Sequence, residues 1–99
     1  MNLDEYVATL SPTHTFYLDD MRETAKANND PLPCDFDLLM EVDRRARIDT
    51  WFQARYNEPL DYCEPDPMEG VYVVMLADTQ EEMKVRLEDS VVTLAGDPV

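Results

Sequence analysis

Two proline-bearing segments decide how this chain can be divided. The run Asn28-Asn29-Asp30-Pro31-Leu32-Pro33 cannot continue a helix, because its prolines lack N–H donors and its Asn and Asp side chains favour turns. Residues 57–70 (NEPLDYCEPDPMEG) hold three prolines and five acids, which reads as an extended, partly polyproline-II loop. Regular structure is left to what precedes, separates and follows these breakers.

The first stretch predicts two helices. Asn2 can cap a helix through Leu10, with Leu3, Tyr6, Val7 and Leu10 on one face. Ser11-Pro12 restarts the helix, since Ser accepts a bond from an orphan N–H and Pro at the first helical position has none to leave unsatisfied. The second helix runs to Ala27, with Tyr17, Leu18, Met21 and Ala25 inward and Asp19, Asp20 and Glu23 outward. The middle stretch, Asp35 to Tyr56, is rich in helix formers and sets Glu41/Arg45, Asp43/Arg47 and Arg45/Asp49 at i, i+4 spacing. Its apolar residues Phe36, Leu39 and Met40 fall out of phase with Ile48, Trp51 and Phe52, which predicts a bend or break between Asp43 and Arg47.

The C-terminal stretch predicts strands. Val71 to Leu76 is β-branched and aromatic-rich and bounded by Gly70 and Asp78, the pattern of a buried strand. Met83, Val85 and Leu87 alternate with Lys84, Arg86 and Glu88, which favours an antiparallel meander turning at Asp89-Ser90 into Val91 to Ala95. Thr79-Gln80-Glu81-Glu82 is also a capping box, and Met83, Leu87 and Val91 fit a helical stripe, so strand-helix-strand is the alternative. Either way the class is α+β: N-terminal helices, a long central helix and a small C-terminal antiparallel sheet, in a single domain over residues 1–99.

With 8 Lys and Arg against 22 Asp and Glu, the formal charge is −14. That balance excludes direct binding to nucleic acid or an anionic membrane, which needs clustered cations to displace counterions. The longest apolar run, Val71 to Ala77, falls well short of the ~20 residues that span a bilayer. Acids stand at the start where a signal peptide needs Lys or Arg, so a cytoplasmic protein with reduced Cys34 and Cys63 is expected.

Little catalytic apparatus is visible. His14 is the sole imidazole, flanked by Thr13 and Thr15, and reads as a first-turn surface residue. Asp35/Asp37 read as helix N-terminal charge and Asp19/Asp20 as solvation. The acidic loop lacks the residue order of a calcium site, two glycines cannot build a phosphate loop, and the cysteines form no metal-ligand pattern. No enzyme, cofactor or metal is expected.

The informative feature is where the acids lie. From Tyr56 through Met83 there are eight carboxylates and no Lys or Arg, so this segment carries −8 of the −14. The candidate binding residues are Glu58, Asp61, Tyr62, Glu64, Asp66, Glu69, Asp78, Glu81 and Glu82. On a polyproline-II segment, Glu58, Asp61 and Glu64 share one face at intervals of about 9 Å, a spacing of the order of that along a nucleic-acid backbone. Tyr62 supplies rigid contact area among the charges, while Tyr72 reads as core.

In size, acidity and lack of catalytic residues the chain resembles the small phage-encoded anti-restriction and anti-CRISPR proteins that act as DNA mimics. That resemblance is one of composition and carries no residue roles. It implies a non-catalytic inhibitor whose partner is a basic nucleic-acid-binding protein or nuclease complex, with no direct contact to nucleic acid or membrane. The alternative is a small adaptor binding through an apolar patch, its acidity serving solvation or a high-salt cytoplasm. Nothing in the residues fixes an oligomeric state.

Overall fold

Local caps set the first two helices. The computed structural model describes residues 2–89 and 91–95. Helix α1 (Leu3–Leu10) begins where Asn2 accepts a bond from the Glu5 N–H at 2.9 Å, and helix α2 (Pro12–Ala27) where Ser11 Oγ accepts from the His14 N–H at 3.2 Å. Asn29, at φ 56°, ends α2 in the left-handed conformation that Asn tolerates better than most residues. Of the expected inward residues, Val7, Tyr17 and Leu18 are fully buried, whereas Leu3, Met21 and Ala25 are half-buried and Tyr6 and Leu10 are exposed.

Helix α3 (Asp35–Tyr56) is continuous, without the expected break between Asp43 and Arg47. The phase argument relied on Phe36, Leu39 and Met40, of which Phe36 and Met40 are exposed and Leu39 is half-buried. Its buried residues instead include Leu38, Val42, Arg45, Asp49 and Phe52, in steps of three and four, with Ala46 and Ile48 beside them, and two polar residues occupy the stripe. Arg45 Nε donates to Glu41 at 3.0 Å, and Asp49 Oδ1 accepts from Gln53 Nε2 at 2.8 Å, so the polar members of the stripe are partnered.

The chain groups into two compact units, Met1–Ala46 and Arg47–Val99, with the boundary inside α3. The second unit holds a four-stranded antiparallel meander: β1 (Leu60–Pro65), β2 (Val71–Leu76), β3 (Glu82–Glu88) and β4 (Val91–Ala95), in that spatial order. The meander expectation therefore stands over strand-helix-strand. Where a helix was the alternative, Gln80 takes φ 59° and its N–H donates to Leu76 O at 2.9 Å, closing a turn between β2 and β3.

The core face follows the register. Cys63 pairs with Val74, Tyr72 with Val85, and Leu87 with Val92, and all six are buried. The expected polyproline-II loop is corrected over residues 60–65: this segment is a strand at the edge of the sheet. A register shift between Leu60 and Tyr62 lets Leu60 and Cys63, three apart, both turn inward, which disguises the two-residue period in the sequence. Only residues 66–70 connect the strands as a loop, which Gly70 closes at φ 80°.

Candidate carboxylate surface

The meander sends the eight acids of residues 56–83 to two ends of one sheet. At one end lie the start of β1 and the β2–β3 turn; at the other lie the β1–β2 loop and the β3–β4 connection.

Glu58 organises the first end. Its Oε1 accepts from the Asp78 N–H at 2.9 Å, the Thr79 N–H at 3.0 Å and Thr79 Oγ1 at 3.3 Å, and the residue is only 9% exposed. It satisfies the orphan donors of the turn from a distant point in the chain. Two further bonds hold the same corner: Ala77 N to Pro59 O at 3.0 Å and Leu60 N to Asp49 Oδ1 at 3.3 Å. Glu58 therefore shares no face with Asp61 and Glu64, and its carboxylate is directed into the fold.

Around this corner Asp61, Asp78, Glu81 and Glu82 are exposed. Tyr62 sits on the sheet face that also carries Met75 and Glu82, and its hydroxyl donates to Glu82 Oε2 at 2.6 Å. That bond to a carboxylate, with partial desolvation and the charges of Glu82, Glu64 and Asp61, pushes the Tyr62 phenol up to about 12. Arg55 is the last base before the acidic segment, and its guanidinium lies over the rings of Trp51 at 5.3 Å and Tyr56 at 6.0 Å.

The second end is compensated in part, by Lys84 and Arg86. Asp66 Oδ2 accepts from the Met68 N–H at 3.0 Å, and its Oδ1 lies 3.3 Å from Lys84 Nζ. The Met68 N–H and Lys84 hold the Asp66 carboxyl below its ordinary value, against partial desolvation. Arg86 pairs with Glu88 at 3.4 Å and reaches Met68 Sδ at 3.8 Å. Glu64 and Glu69 are exposed, Glu64 on the cross-strand row that contains Val73 and Lys84.

In the helical unit, His14 is more than a first-turn surface residue. Its Nδ1 lies 2.6 Å from Ser11 Oγ and its Nε2 3.0 Å from Asp43 Oδ1, an assembly that sequence reading missed because Asp43 is 29 positions away. A hydroxyl, imidazole and carboxylate in series is the arrangement used in nucleophilic catalysis, but Ser11 Oγ also accepts the N–H that starts α2, which makes it a helix cap. Among the described residues, no group of three or more His, Cys, Asp or Glu is placed to hold a metal ion. None of their helices is long and apolar enough to cross a membrane.

No family model matches the chain, and no curated protein or solved structure matches it.

Proposed function

We propose that this protein is a non-catalytic acidic inhibitor that sets the carboxylates of the β2–β3 end of its sheet into the Lys/Arg groove of a nucleic-acid-binding protein or nuclease complex. The observation that carries this reading is the exposure of Asp61, Asp78, Glu81 and Glu82 around a turn held rigid by Glu58. Charges fixed on a hydrogen-bonded corner cost less ordering entropy on binding than charges on a mobile tail. Long-range attraction speeds encounter, and Tyr62 adds rigid contact area beside the charges. This is the logic of the phage anti-defence proteins that the composition resembles.

A second reading has its own observation. The helical unit exposes Phe36 (69%), Met40, Phe16, Leu32, Tyr6 and Leu10, apolar residues on which an adaptor could dock a partner. Salt separates the two. Proteins retained by the immobilised chain from its native host are identified and then eluted with duplex DNA and with rising salt. Groove binding predicts basic nucleic-acid-binding proteins that duplex DNA displaces and that leave between ~0.1 and ~0.5 M salt. Retained proteins that ignore both DNA and salt overturn it in favour of the apolar reading.

A further inference from the structure

The two edges of the sheet are built differently. Edge strand β1 is guarded: Pro65 has no N–H to offer, a bulge interrupts its register, and Asp61 and Glu64 project from it. Edge strand β4 reads Val-Val-Thr-Leu-Ala, with no charge and no proline. Val91 is 59% exposed, and Leu94 is 46% exposed although it pairs with the fully buried Val85 on the core face. An edge strand of this kind leaves alternate N–H and C=O groups pointing outward, a template for one more strand.

We propose that β4 pairs antiparallel with β4 of a second copy of this chain, joining two four-stranded sheets into one of eight. A two-fold axis at Thr93 sets Val91 against Ala95, Val92 against Leu94 and Thr93 against itself, so no charge meets its like across the junction. Leu94, a half-exposed core-face residue at the edge, gains Val92 of the second copy as a cross-strand neighbour. The pairing uses the edge opposite β1 and leaves Asp61 and Tyr62 accessible, so it stands independently of the proposed inhibitor function.

Two features set its strength. A five-residue strand buries less than the ~800 Å² per partner of a stable interface, so the dimer is weak. Each copy also carries −14, so screening strengthens the association, the opposite salt response to groove binding.

Sedimentation equilibrium between ~10 µM and ~1 mM protein, at ~0.05 and ~0.5 M NaCl, tests this. A monomer–dimer equilibrium that tightens with salt is expected. Thr93 is exposed, so Thr93→Lys and Thr93→Glu place like charges face to face without touching the core; each alone should sediment as a monomer with unchanged far-ultraviolet circular dichroism. Mixing the two should restore a one-to-one heterodimer. If Thr93→Lys alters the circular dichroism, Val91→Lys repeats the test from the neighbouring pair. A chain that stays monomeric throughout, or a folded Thr93→Lys variant that associates like the parent, overturns the proposal.

Discussion

The two ends of the sheet start from similar numbers of acids and arrive at different surfaces. At the loop end, Asp66 is drawn to the Met68 N–H and Lys84, and Glu88 to Arg86, while Glu64, Glu69 and Asp89 stay exposed beside those two cations. At the turn end, one carboxylate, Glu58, is buried as a structural clamp, and Asp61, Asp78, Glu81 and Glu82 remain exposed around it. Acid content alone does not locate an acidic surface. What locates it is which carboxylates the backbone and the cations of β3 consume.

The largest effect should come from separating the ends by charge. Changing Asp61, Asp78, Glu81 and Glu82 to their amides is expected to weaken binding to the captured partner by about four decades, at ~1.5 kcal/mol for each close charge pair. Amides at Glu64, Glu69, Glu88 and Asp89 remove the same charge from the loop end and should cost less than about tenfold. Calorimetric titration of both variants measures the difference, and equal losses would mean that only net charge matters.

Next in size is the clamp. Glu58→Ala leaves the turn N–H groups of Asp78 and Thr79 without their acceptor, so urea unfolding should show a loss of about 3 kcal/mol. Glu58→Gln keeps one acceptor oxygen and should lose about half of that. A loss below ~0.5 kcal/mol would show that the corner is held by something else.

A smaller stability effect belongs to the helical unit. His14→Ala removes the link from Ser11 to Asp43 and should cost about 1 kcal/mol while partner binding stays unchanged. Loss of function in a folded His14→Ala variant would reopen a catalytic role for the Ser11–His14–Asp43 series.

The smallest effects are titrations, one at each end. The Asp66 carboxyl is depressed, so its contribution is present above the ordinary value near ~3.9 and fades as pH falls through the lowered folded value. The urea midpoint of Asp66→Asn should therefore differ most from the parent above about pH 4 and converge with it in stronger acid. Tyr62 has the opposite sign: its raised phenol favours the folded state below ~10, and this is lost as pH rises toward about 12. Phenolate absorbance near ~295 nm, parent minus Tyr62→Phe, should show a late transition. A midpoint near ~10 would mean that the Glu82 bond does not form in solution.

The α-helical part of this fold was legible because its signals are local. Asn2, Ser11-Pro12 and the Asp35–Tyr56 run each act within a turn or two of chain, and the helices begin where those residues place them. Strand β2 was equally plain, since a short β-branched run between turn residues carries its own evidence. Strand β1 was not. Pro65, Asp61, Glu64 and a bulge remove the alternation that marks a strand, and only pairing with β2 orders the segment.

Residue order and composition thus determined by themselves that this protein is acidic, that the excess is concentrated in residues 56–83, and that helices precede strands. Tertiary structure decided which of those acids face water. Thr79-Gln80-Glu81-Glu82 carries a capping pattern that would open a helix; it turns instead because β2 and β3 pair across it and Glu58, some 20 residues upstream, accepts from the N–H groups of Asp78 and Thr79. A capping motif supplies its own bonds within three residues, whereas a sheet must bring remote partners together. The choice between them rests on contacts that no short window of sequence contains.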